Sequence, residues 1–101
     1  MKHFLIIRPE AEQDIQMAFS WYEKRVSGLG MEFLRCVDVA IAQVNRSPRT
    51  YPIIYNKIHR ILTRRFPFGI FYIINNDKIV VLAVLHARRD PNLWQKRKKT
   101  P

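Results

Sequence analysis

Apolar residues recur along this 101-residue chain at two different periods, and the change of period separates helices from strands. Residues 2–8 read as a first strand, which Pro9 stops. Pro9 also suits the first turn of a helix, where Glu10, Glu12 and Asp14 complement the positive end of the helix dipole. Ala11, Ile15, Ala18, Phe19, Tyr22 and Val26 keep helical spacing over 10–26. After the breaker Ser27-Gly28-Leu29-Gly30, the same period returns in Phe33, Val37, Ala40, Ile41 and Val44 and predicts a second helix over 31–46. So short a connection predicts an antiparallel helix hairpin. A loop with two prolines, Ser47 to Pro52, then leads to three strand-like runs at 58–66, 68–75 and 78–87. Asn75-Asn76-Asp77 turns the last two into a hairpin. Ile79 to Leu85 is apolar without a break, as in a central strand buried on both faces.

The predicted order, β-α-α-β-β-β, is an α+β fold with the helix hairpin on one face of a small, twisted, mostly antiparallel sheet. The opposite face is expected to be open for binding. One domain over 1–95 and a basic, flexible tail over 96–101 account for the length. Period-2 alternation sets Arg60 and Arg64 on one face with Leu62, and His59 and Arg65 on the other with Thr63. It also sets His86 on the face of Val80, Leu82 and Val84, with Arg88 and Arg89 where that strand runs out.

Charge changes this picture most. Residues 1–47 hold six Lys/Arg and six Asp/Glu, whereas residues 48–101 hold twelve against two, so the whole net charge of +10 lies in the second half. One-sided charge points to a polyanionic partner, either nucleic acid or an acidic protein surface. The apolar runs are too short for a membrane span, so no membrane partner is expected. The lone Cys36 cannot form an internal disulfide, which agrees with a reducing cytoplasm. No His, Cys or carboxylate set has metal-ligand spacing, there is no Gly-rich phosphate loop, and no cofactor is expected.

The element order, together with Pro9-Glu10-Ala11-Glu12-Gln13-Asp14-Ile15, Ser47-Pro48-Arg49-Thr50-Tyr51-Pro52, Arg64-Arg65-Phe66-Pro67-Phe68, Tyr72 and Val81 to Pro91, resembles the ParE/RelE superfamily of toxins. The resemblance covers residues 3–94, and His86-Ala87-Arg88-Arg89-Asp90-Pro91 after an apolar strand is its best mark. It implies a RelE/ParE-like fold and the toxin of a type II toxin–antitoxin (plasmid stabilisation) pair, neutralised by a cognate antitoxin. Operator DNA would be met only through that antitoxin. Growth arrest would follow either from poisoning DNA gyrase, the ParE type, or from cleaving mRNA on the ribosome, the RelE type.

Metal-free RNA cleavage needs a proton carrier and cations on the developing phosphorane charge. Here the candidates are His86, Arg65 and Arg88. The resemblance puts the arginine of RelE-type nucleases near Gly69 and their tyrosine near Leu93 or Trp94, and this chain has neither residue. The preferred expectation is therefore a ParE-like toxin without chemistry of its own. Its target would be met by Arg60, Arg64, Arg65, His86, Arg88, Arg89 and Trp94, and its antitoxin by Trp21, Arg64 and Arg88. A ribosome-dependent endoribonuclease and an inactive relative that binds only antitoxin are the alternatives. His59 and His3 are lesser histidine candidates, and Trp94 is expected to cap the sheet or anchor the tail.

Overall fold

The computed structural model describes residues 4–99; His3 and the last two residues of the tail lie outside them. Strand β1 (Phe4–Ile7) is followed by helix α1 (Pro9–Arg25), helix α2 (Leu29–Arg46), strands β2 (Ile53–Tyr55), β3 (Ile58–Leu62), β4 (Phe68–Asn75) and β5 (Lys78–His86), and a short helix α3 (Asn92–Gln95) that runs into a single 3₁₀ turn. The five strands form one sheet in the order β1-β5-β4-β3-β2. All neighbours are antiparallel except β1 and β5, which pair in parallel. The helix hairpin covers one face, as the sequence predicts.

Local chemistry explains the hairpin. Pro9 opens α1, and Glu10 and Glu12 occupy its first turn while Lys24 and Arg25 occupy its last, each sign at the end that its dipole favours. Gly28 takes φ +89° at the start of α2, a conformation that costs a side-chain-bearing residue energy. Glu23 then accepts hydrogen bonds from the N–H groups of Gly28 and Gly30 at 2.8 and 2.9 Å, satisfying orphan donors of the new helix. Gly30 also lets the helices cross closely, because a Cβ there would stand 2.8 Å from Phe19.

Two hydrophobic clusters sandwich the sheet. On the helix side, Phe33, Val37 and Val44 of α2 meet Ile70, Tyr72, Ile79, Val81 and Val84. On the other side, Ile58, Phe71, Leu82, Ala83 and Leu85 are covered by Trp94. The second cluster corrects the expectation of an open face, since α3 closes much of it. Arg60 and Leu62 project from its remainder.

A β-bulge corrects the strand phase. Phe71 pairs with Ala83 but Tyr72 pairs with Val81, so Leu82 is an extra residue in β5. His86 therefore keeps Val84 as a face-mate, but Val80 and Leu82 turn to the opposite cluster. Strand β2 is an addition to the predicted order. It forms a hairpin with β3 through Asn56 and Lys57, both at positive φ.

β1 ends early. It covers β5 only from Lys78 to Val81, and the remaining edge of β5 is met by α1. Asp14 closes that edge, accepting a hydrogen bond from the Val84 N–H at 3.0 Å. Its carboxylate also pairs with Arg97 at 2.5 Å, and Arg97 donates to the Leu82 carbonyl at 3.1 Å. The basic tail is thus tied to the fold at Arg97, within the turn Lys96–Lys99.

Candidate functional site

The seal at the β5 edge forms one end of a groove of about 800 Å³ between α1 and the C-terminal segment. Glu10, Gln13, Met17 and Trp21 stand along its α1 wall, and His86, Arg89 and Leu93 along the other. Tyr22, Phe68 and Val84 form the floor. Tyr22 packs edge-on against Phe66, centroids 4.8 Å apart, and this burial raises its phenol pKa. The floor is therefore fixed and apolar. The rim carries exposed large side chains: Met17 is 73% and Trp21 52% accessible. Arg25 lies over the Trp21 ring, 3.7 Å from its centroid, a cation–π contact that holds the indole at the rim.

His86 sits half-buried on the groove wall, edge-on to Phe68 at 5.8 Å. Its Nδ1 accepts a hydrogen bond from the Arg88 backbone N–H at 3.0 Å. An accepting Nδ1 fixes the neutral ring as the tautomer with hydrogen on Nε2. In this arrangement Nε2 is the ring nitrogen left to the groove. His59, the other histidine candidate within the described residues, is structural. It is buried, stacks on Tyr72 at 5.0 Å, and its Nδ1 bonds the Tyr51 carbonyl at 2.7 Å.

The candidates for catalysis do not converge on this groove. His86 lines it, but Arg65 and Arg88 do not. Arg65 reaches instead to Glu32 of α2 at 2.6 Å, and that hydrogen bond and charge raise its pKa. Arg64 is exposed in the turn after β3, and Arg88 is exposed beyond β5. Arg89 shares the groove with His86 and Trp21.

The far face of the sheet is more telling. A Cβ at Gly69 would stand 3.0 Å from Arg60 Cδ and 3.2 Å from Phe71 Cε1, so the methylenes of Arg60 occupy the space a side chain would need. Phe71 in turn stacks on Trp94, centroids 4.6 Å apart at 19°. Trp94 is only 6% accessible, which removes it from the surface expected to touch a target and makes it the lid of the second cluster. Gly69 and Trp94, the positions where the resemblance seeks an arginine and a tyrosine, are thus joined through Phe71 into packed core.

Sequence reasoning missed Met17, Asp14 and Arg97. Met17 could have been found, since it precedes the singled-out Trp21 by one helical turn. Asp14 and Arg97 carried no such signal, being far apart in sequence.

The chain matches the ParE toxin of type II toxin–antitoxin system, parDE, over residues 5–91. It belongs to the ParE toxin family. Among solved structures it resembles the chromosomal ParDE system from P. aeruginosa, with a TM-score of 0.63 at 16% identity, covering 84% of this chain and 96% of that one. It also resembles the isolated E. coli RelE toxin, with a TM-score of 0.65 at 16% identity over 98% and 99% of the two chains. The RelBE2 toxin–antitoxin complex from Mycobacterium tuberculosis gives 0.59 at 16% identity, over 85% and 99%. These likenesses carry the fold of this ParE-family toxin. No relative was found among curated protein sequences. No helix among the described residues is long and apolar enough to cross a membrane.

Proposed function

We propose that this ParE-family toxin arrests growth in the cytoplasm by binding DNA gyrase, without chemistry of its own, and that a cognate antitoxin neutralises it. The observation that carries this reading is the packed far face: where the resemblance seeks nuclease residues stand Gly69, tight under the Arg60 stem, and Trp94, stacked on Phe71. The scatter of the catalytic candidates supports it, because His86 lines the groove while Arg65 and Arg88 do not, and Arg65 is paired with Glu32. Arg60, Arg64, Arg88 and Arg89 then act on an acidic target surface through charge. The antitoxin lies along the groove, where Trp21 supplies the kind of rigid aromatic anchor that dominates interfaces, with Arg64 and Arg88 as charged contacts beyond the rim.

The test pairs two assays on the purified chain. Inhibition of gyrase supercoiling, weakened in Arg88→Ala with Arg89→Ala, is the expected result. Primer extension on mRNA in a bacterial translation extract is expected to show an intact message. Ribosome-dependent cuts that vanish in His86→Ala would overturn the reading in favour of the endoribonuclease. Silence in both assays would leave a relative that binds only its antitoxin.

A further inference from the structure

Helix α1 carries a second feature, on its outer side. Gln13, Gln16, Met17, Ser20, Trp21 and Lys24 line a shallow exposed trough there. Viewed down the axis, Glu10, Gln13, Trp21 and Lys24 fall within about 40° of Met17 on either side. The stripe is uncharged through its middle, acidic at Glu10 and basic at Lys24. Such a sequence is complementary to itself run backwards. An antiparallel copy centred on Met17 places Glu10 against Lys24, Gln13 against Trp21, and Met17 against Met17.

We propose that the free toxin pairs with a second copy of itself through α1, about a two-fold axis at Met17. Charge favours this occupant over an acidic one. The chain's excess of +10 resides wholly in residues 48–101, while residues 1–47 are balanced. A partner drawn by positive charge would find Glu10 opposing it on this stripe, whereas a second copy sets Glu10 against Lys24 at both ends. The apolar content is right for a weak pair: Met17 and Trp21 are the large exposed hydrophobic side chains of α1, and a single helix–helix contact lies at the low end of interface sizes. Each contact occurs twice in such an isologous pair. The basic sheet half stays outside the interface.

Sedimentation velocity on the chain alone tests this. The sedimentation coefficient is expected to rise with concentration and to fall back with added salt. Glu10→Lys and Lys24→Glu should each weaken pairing about tenfold, since each turns two attractions into repulsions. The double variant E10K/K24E should restore it. Any damage to helix-dipole complementarity adds up in the double variant, so restoration cannot come from general stability. In a Cys36→Ser background, Met17→Cys should cross-link rapidly under diamide, while Glu12→Cys, ~140° round the helix, should not. A monomer at all concentrations, a double variant as weak as the singles, or equal cross-linking at both positions would overturn the proposal.

Discussion

Replacing Asp14 by alanine removes one carboxylate that serves two clients, the Val84 N–H and the Arg97 guanidinium. Both would be left at the edge of β5 that β1 does not reach. Asp14's side chain is 9% accessible and Arg97's 22%, so solvent can only partly replace what is lost. Removing one partner of a fully buried pair costs ~3–5 kcal/mol. Since Arg97 keeps some access to water and its bond to Leu82, Asp14→Ala is expected to cost about 3 kcal/mol. Arg97→Ala should cost less, about 2 kcal/mol, because Asp14 retains the Val84 N–H. The double variant should fall short of the sum by ~1–2 kcal/mol, as expected of contacting residues. Urea denaturation followed by far-UV circular dichroism measures all four proteins, and an unchanged slope would show that only stability has moved. Against a total of ~5–15 kcal/mol for a domain, these shifts are large. A coupling below ~0.5 kcal/mol, the range of independent sites, would refute the claim that this pair seals the edge.

Trp94→Ala should cost ~3–5 kcal/mol by opening the second cluster, and Trp94→Phe clearly less, read from the same denaturation curves. Gly69→Ala should lose ~1–3 kcal/mol through its conflict with Arg60 and Phe71; pairing it with Arg60→Ala should recover much of that loss. Tyr72 is buried and its hydroxyl donates to the Pro48 carbonyl at 2.7 Å. Burial, with Tyr51 nearby, raises its pKa far above the usual value. A raised phenol pKa means stability is intact below the unfolded value of ~10 and is lost as pH climbs towards the folded one. Tyr72→Phe should therefore be less stable at neutral pH and show a shallower loss of stability between about pH 10 and 12, measured as urea midpoints against pH.

The helix hairpin and the final strand hairpin were legible because each rests on long, regular periodicity and a turn with its own chemistry. Strand β2 was not. It has three residues, follows Pro52, and turns through Asn56-Lys57, which lacks the glycine that usually marks such a turn. The bulge at Leu82 was hidden by the very feature that identified β5, since an unbroken apolar run carries no phase. Among site residues, Trp21 stands off the core stripe and is exposed at the groove rim. Trp94 caps the sheet, one of the roles expected of it, but the tail misled. Clustered Lys and Arg suggest a solvated end, and nothing local reveals that Arg97 has a carboxylate waiting on α1.

The parallel pairing of β1 with β5 bears on how quickly the chain reaches this state. Phe4 finds its partner at Lys78, near the opposite end of the sequence, whereas α1 meets α2, and β4 meets β5, across a few residues. Local pairs close at small entropic cost and early; a contact spanning most of the chain waits until other packing shortens the path. β1 is thus expected to dock late, and substitutions in Phe4–Ile7 should speed unfolding far more than they slow folding. Until it docks, the most apolar strand of the molecule has an unpaired flank, and it is in this interval, rather than in the finished fold, that the chain is most exposed to aggregation.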